Sequence, residues 1–288
     1  MNINQKRDLA CLIWHSIHEI QWPANAQEPD YVAKLVTELP SGIMTALATV
    51  IPGCQVKAGG AFIHQKPLAH FVSKAGYKDS ELGDLLIVCR DRRTSGIIYN
   101  AMLFQAKVAK NLLCELIPND HQFILYSEWP KFEYKRAGVL NGKIRNILPK
   151  SVTQGAKYLL IDENTPNEML TATVDMPLKG SRCFATTIAS ILSFDDGRTF
   201  QFDFPRDTWS QVIIDLLSIT ASSVFNRRRS GLSAKQRWNG DKAFDYLLSL
   251  DGEGDNSKDQ SVNGSMEGDS SFDGMGVICI DLGLSEYN

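Results

Sequence analysis

The chain has little of what announces a metal cage, a disulfide scaffold or a membrane segment. Its six cysteines, at positions 11, 54, 89, 114, 183 and 279, form no C-x-x-C pair and follow no regular spacing. With no Cys/His cluster at ligand spacing, a structural zinc site is not expected. The cysteines sit mainly in apolar runs, so buried free thiols are the expected state. No apolar run approaches the roughly 20 residues that a bilayer-spanning helix needs. The opening stretch MNINQKRDLACLIWHSIHEIQW has no signal-peptide apolar core and no cleavage site. Together these absences point to a cytoplasmic location.

The 288 residues leave room for one large domain or two small ones, and 43% of them are hydrophobic. The net charge of −3 hides an uneven distribution. Residues 251–288 hold nine acids and one base, which leaves 29 bases and 24 acids in residues 1–250. The first 250 residues are thus mildly basic, as a nucleic-acid partner would require. Residues 251–274 are mostly Gly, Ser, Asp and Asn and read as a disordered acidic linker. Such a linker could compete with nucleic acid for a basic cleft. After it, Met275-Gly-Val-Ile-Cys-Ile-Asp-Leu reads as a strand able to add to a sheet edge, in cis or in a partner.

Apolar periodicity predicts helices over residues 5–21, 30–39 and 42–51, the last two separated by Pro40-Ser41. A short strand is expected at Ala61-Phe62-Ile63. Later segments predict a helix over 110–117 and a strand over 122–127. Strands follow at 157–161, 169–174 and 199–204, with helices over 208–226 and 241–250. The division that results is an N-terminal helical region (1–54), a core (55–135), an α+β elaboration with a basic segment (136–250), the linker (251–274) and a terminal strand (275–288).

The stretch from Glu81 to Lys110 carries the chemistry. Leu85-Leu86-Ile87-Val88-Cys89 is a continuous apolar run suited to a strand covered on both faces. A charged turn through Arg90, Asp91, Arg92, Arg93 and Gly96 leads into Met102–Ala109, a second strand. Side chains alternate along a strand, so Gln105 and Lys107 share one face while Met102, Phe104, Ala106 and Val108 take the other. Pairing of the two strands would bring Asp84, Gln105 and Lys107 together, with Glu81 close by. A carboxylate and an amide oxygen are hard donors of the kind Mg²⁺ takes, and an ammonium can stabilise charge building on a phosphate.

Asp84 followed by Gln105-Ala106-Lys107 on two apolar strands resembles the PD-(D/E)xK, restriction-endonuclease-like nucleases. The likeness is to the variant with Gln in place of the acidic residue before x-Lys, as in Mrr-type enzymes. It covers residues 55–130, with Gly83 where the family often has Pro. It implies an α/β fold with a mixed sheet of the restriction-endonuclease type flanked by helices, and Mg²⁺- or Mn²⁺-dependent endonuclease activity, most readily on DNA. Asp84, Gln105 and Glu81 would then be metal ligands, and Lys107 would position the water. The family's additional helix-borne acid has Glu38 as its other candidate. The resemblance also implies a homodimer and, by association, a restriction or antiphage-defence effector or part of a defence complex. Candidate phosphate contacts are His64 and Lys66 near Pro67, and the cluster Arg227, Arg228, Arg229, Lys235 and Arg237. Two other readings stay open: a non-catalytic nucleic-acid-binding or regulatory protein on the same fold, and a protein-interaction subunit docking through its last strand.

Overall fold

Two apolar runs that lie far apart in the chain end up side by side. Leu85–Asp91 and Met275–Leu284 pair in parallel, Gly276 opposite Leu85 and Leu282 opposite Asp91, and both are buried on both faces. This is the arrangement that continuous β-branched and aliphatic sequence favours. The computed structural model describes residues 1–63, 67–74, 76–116, 120–150, 155–203, 207–228, 240–250 and 274–284, side chains at 226–228 excepted.

In chain order the elements are α1 (Ile3–Glu19), α2 (Glu28–Val50), β1 (Cys54–Ile63), β2 (Leu68–Ser73), β3 (Gly76–Glu81), β4 (Leu85–Asp91) and β5 (Ile98–Ala109). They continue with β6 (Leu113–Cys114), α3 (His121–Glu128), β7 (Phe132–Lys135), β8 (Ile144–Arg145), β9 (Ala156–Asp162), β10 (Met169–Ala172) and β11 (Leu178–Lys179). The rest are β12 (Arg182–Cys183), α4 (Phe184–Leu192), β13 (Arg198–Phe200), α5 (Thr208–Arg228), α6 (Gly240–Leu248) and β14 (Met275–Leu284). The protein is α/β. Its main sheet runs β1-β14-β4-β5-β9-β10-β12, with β13 also on β5. The sheet is mixed: β4 and β5 form an antiparallel hairpin, while β5 pairs with β9, and β4 with β14, in parallel. A second sheet, β3-β2-β7-β8, stands beside it.

Alternation along the strands makes two cores. Leu85, Ile87, Met102, Phe104 and Ile278 pack with apolar residues of α1, α2 and α4. Leu86, Val88, Leu103, Tyr158 and Val277 pack with residues of α3, α5, α6 and the second sheet, including Trp129, Phe132 and Tyr134. Helices thus flank the sheet on both faces.

Several expectations need correction. Residues 30–39 and 42–51 belong to one helix, α2, which runs through Pro40. An interior proline costs about 3 kcal/mol because it leaves the carbonyl four residues earlier without its donor. Here that carbonyl, of Val36, faces Gly60 of β1, where a Cβ would lie 2.0 Å from its oxygen. A strand backbone can come this close only where it carries no side chain, so the proline sits at a tight helix–strand contact instead of ending the helix. The expected strand at 122–127 is helix α3. The Asp120 side chain caps it by accepting from Phe123 N, and Gln122, Leu125 and Tyr126 are buried at helical spacing. The expected helix over 110–117 is one 3₁₀ turn followed by β6; Asn111 and Leu112 adopt positive φ of 55° and 54°, which ends helical propagation.

The last strand does not lie at a sheet edge. β14 occupies the centre, with β1 on one side and β4 on the other. Its Asp281 is tied to Arg90 Nε at 2.6 Å and Arg92 Nη2 at 2.5 Å. Both of its hydrogen-bonding edges are taken, so it has none to offer a partner, and cutting the chain at residue 250 would remove the middle of the sheet. Residues 208–225 of α5 are long and apolar enough to cross a membrane, contrary to the sequence reading; 61% of that window is buried within the protein. All six cysteines are free; Cys89 and Cys279 are buried, while Cys11 is exposed.

Candidate active site

The site forms where β5 outruns its partner. β4 begins at Leu85, opposite Phe104, so residues 105–109 of β5 extend past it and keep only β9 as a neighbour. The Ala106 and Val108 N–H groups on that open side need acceptors. Two carboxylates supply them. Ala106 N donates to Asp84 Oδ2 at 2.7 Å, and Val108 N donates to Glu28 Oε1 at 3.2 Å. Asp84 is held just before β4 by its own backbone: its N–H donates to the Phe104 carbonyl and its carbonyl accepts from Gly276 N, both at 2.8 Å.

Asp84 and Gln105 are 3% and 1% exposed and touch directly, the Gln105 amide donating to the same Asp84 Oδ2. Gln105 Oε1 is buried and has no hydrogen-bond partner among the described residues. By strand alternation Gln105 and Lys107 lie on the face of Ala101 and Leu103, and Asp84 on the face of Leu86 and Val88, which is the same side of the sheet. The Lys107 ammonium is 3.6 Å from Glu28 Oε2 and is not paired with Asp84. Glu28 lies in the first turn of α2, where the helix dipole favours a negative charge.

Behind this row stand two phenols. Tyr126 donates to the Leu82 carbonyl at 2.9 Å. Tyr158, opposite Gln105 in the β5–β9 register, has no partner for its hydroxyl among the described residues. Both phenols are pushed well above the usual tyrosine range. Burial is the main cause for each; the charges of Asp84 and Glu81 add to it for Tyr126, and those of Asp120 and Asp84 for Tyr158. They therefore remain neutral. Tyr126 also accounts for Gly83: a Cβ there would meet the Tyr126 hydroxyl at 3.0 Å and the Phe104 carbonyl at 3.2 Å.

The structure brings Asp84 and Gln105 into contact, with Lys107 two residues along the same face. Glu81, at the end of β3, accepts from Gln122 Nε2 at 3.5 Å and flanks the site through Tyr126. Glu38 is not at the site; its carboxylate pairs with Lys34 at 2.5 Å along α2. The helix-borne acid that reaches β5 is Glu28, which the sequence reading missed. Its signal was only an acid beside Pro29 at a helix start, and nothing in the sequence says that this turn meets the end of β5. His64, Lys66, Arg229, Lys235 and Arg237 lie outside the described residues, as do the side chains of Arg227 and Arg228 and residues 251–273 of the expected linker.

The donor set can be tested against a divalent cation. No three His, Cys, Asp or Glu side chains are grouped for a metal among the described residues. The site offers the Asp84 carboxylate, one oxygen of which accepts from the Ala106 N–H and the Gln105 amide, and Gln105 Oε1, which in this amide orientation is not the end that faces Asp84. That fits a cation that keeps most of its waters, as Mg²⁺ does, and does not fit an all-protein cage. A separate open cleft of about 530 Å³ is lined by Lys157, Thr171, Thr173, Ser181, Arg182 and Asp196. Its two cations both pair with Asp196, and Lys157 points to the opposite face of β9 from Tyr158.

No protein-family model, curated protein or solved structure matches the chain. The likeness to the PD-(D/E)xK nucleases therefore rests on Asp84, Gln105 and Lys107 and on the strands that carry them.

Proposed function

We propose that the protein is a divalent-cation-dependent phosphodiesterase acting on nucleic acid, with DNA the favoured substrate, on a restriction-endonuclease-like core. The observation that carries this reading is the contact between the Asp84 carboxylate and the Gln105 amide, whose oxygen is buried without a partner beside Lys107. A buried polar atom left unmatched is costly unless it is used.

Asp84 and Gln105 would hold the cation, Mg²⁺ or Mn²⁺. When bound, it supplies Lewis acidity towards a phosphoryl oxygen and makes a ligated water more acidic. Lys107 contributes positive charge where negative charge builds on the phosphate, and orients the attacking water. Glu28 holds the Lys107 ammonium at the mouth of the site, where Lys107 is 20% and Glu28 35% exposed. Asp84 is oriented by two donors on one oxygen, the Ala106 N–H and the Gln105 amide. Action as a homodimer and a role in antiphage defence belong to the same proposal through the resemblance alone.

The test is incubation of the full chain with supercoiled plasmid, single-stranded DNA and RNA, with Mg²⁺ or Mn²⁺ and an EDTA control. Asp84→Ala and Lys107→Ala are expected to abolish cleavage while leaving nucleic-acid binding in place. No cleavage of any substrate with either metal, or full cleavage by Asp84→Ala, refutes the reading. A non-catalytic binding protein on the same scaffold is the second reading, favoured by the Lys107–Glu28 pair, which already neutralises the ammonium. On that reading neither substitution changes anything measured.

A further inference from the structure

The open cleft beside Lys157 and Arg182 takes no part in the proposed hydrolysis. Its volume of about 530 Å³ is that of a small-molecule site. One carboxylate organises it. Asp196 Oδ2 accepts from Lys157 Nζ and, at 3.3 Å, from Arg182 Nη1, while Oδ1 accepts from Gly197 N at 2.9 Å. The loop that carries Asp196 is fixed from below. Asn100, 1% exposed, donates to the Asp196 carbonyl at 2.7 Å and to the Ile191 carbonyl at 2.9 Å. Gly197 permits that approach: its φ is +88°, and a Cβ there would meet the Asn100 amide at 2.8 Å.

Charge and donors are both left over. Two cations share one carboxylate, and the other acid of the cleft, Asp195, already pairs with Lys6. The cleft is therefore net positive. Lys157 is 9% exposed, yet its ammonium makes a single hydrogen bond among the described residues, and so does the Arg182 guanidinium. An ammonium and a guanidinium can each donate several more. Both Asp196 oxygens already accept, which favours an anion here over a metal cation.

Two hydroxyls in the same cleft offer the opposite capacity. Ser181 Oγ donates to the Thr171 carbonyl at 3.3 Å, and Thr173 Oγ1 donates to Asp175 Oδ2 at 2.5 Å. With their protons engaged, these oxygens can only accept from a ligand, as from its hydroxyl groups. The lining holds no aromatic ring among the described residues, so no platform exists for stacking a base.

We propose that this cleft binds a small sugar phosphate. Its phosphate oxygens accept from Lys157 and Arg182, and its sugar hydroxyls donate to Ser181 and Thr173. The inference stands apart from the nuclease reading and uses none of its residues.

The experiment is isothermal titration calorimetry on the full chain, in EDTA and at fixed ionic strength. The ligands are ribose-5-phosphate, inorganic phosphate, ribose and adenosine monophosphate. Ribose-5-phosphate is expected to bind with a Kd of about 1 mM or tighter, the affinity of a well-matched ligand of its size. Inorganic phosphate should bind more weakly and ribose not measurably. Arg182 is 47% exposed, so the fold should tolerate Arg182→Gln, and the variant should lose about tenfold in affinity with one charge-assisted contact. Lys157→Met keeps the apolar stem and should lose at least as much. Lys34→Gln removes a cation on α2, away from the cleft, and should bind like wild type. No binding of ribose-5-phosphate by wild type overturns the proposal. Arg182→Gln binding like wild type overturns it too, whether or not Lys157→Met folds. So does an equal loss in Lys34→Gln, which would mean diffuse charge instead of a site. Inorganic phosphate binding as tightly as the sugar phosphate, or adenosine monophosphate binding more tightly, overturns the assignment to a sugar phosphate. None of these results bears on cleavage at Asp84.

Discussion

Gly60→Ala should be among the most damaging single-methyl changes in the protein. The new Cβ would stand 2.0 Å from the Val36 carbonyl oxygen and 2.9 Å from its carbon. These are backbone atoms in the middle of α2, so no side-chain rotation relieves the overlap. Relief requires β1 and α2 to separate by about 1 Å, and a gap of that size forfeits a quarter to a half of each contact's dispersion energy. The contact that opens includes Val32, Leu35, Val36, Leu39 and Ile43, all 0–1% exposed. Overpacking in a well-packed core usually costs about 1–3 kcal/mol. A clash with a fixed backbone along a five-residue apolar stripe places this one at or above about 3 kcal/mol. The companion change, Pro40→Ala, restores the N–H that α2 lacks. It should gain less than the roughly 3 kcal/mol of an ordinary interior proline, because the Pro40 ring packs 3.4 Å from the Gly60 position. The assay is urea unfolding followed by tryptophan fluorescence, with the soluble fraction as the readout if Gly60→Ala does not accumulate. A Gly60→Ala protein whose stability lies within about 0.5 kcal/mol of wild type, the range of ordinary surface changes, would refute the account of why α2 passes through its proline.

The remaining expectations follow from neighbouring features. Burial by itself would raise the Asp281 carboxyl, but the hydrogen bonds from Arg92 and Arg90 outweigh it and hold the group below the usual carboxylate range. Its contribution is therefore full above the unfolded value of about pH 4 and lost as pH falls through the lower folded value. Asp281→Asn should flatten the acid limb of a stability–pH profile and cost about 3 kcal/mol at neutral pH by leaving Arg90 half-buried and less well paired; an unchanged acid limb would refute this. Cys89 and Cys279 are buried and their thiols pushed far up by burial, whereas Cys11 is exposed. A thiol reagent should label Cys11 in the native protein and reach the other two only in denaturant, as read by peptide mass spectrometry.

Much of the candidate site was legible because it is local. The apolar run 85–89, the charged turn and the alternation through 102–109 announce a hairpin, and a hairpin puts Asp84 opposite Gln105 whatever surrounds it. Helix α3 was misread because Phe-Ile-Leu-Tyr is apolar at every position; only the Asp120 cap and the direction of its burial separate helix from strand there. Pro40 misled for a different reason: its usual effect on a helix was overridden by a strand glycine 20 residues further on.

By itself the sequence determined the β4–β5 hairpin, its amphipathic helices and the residue types at the open end of β5, because each depends on neighbours within a few positions. Tertiary structure alone decided that β14 enters the middle of the sheet, that Glu28 and not Glu38 meets Lys107, and that Tyr158 stands opposite Gln105. Each of these joins segments tens to nearly two hundred residues apart. Strand pairing and side-chain packing across such distances are chosen by the fit of whole surfaces, which no short stretch of chain records.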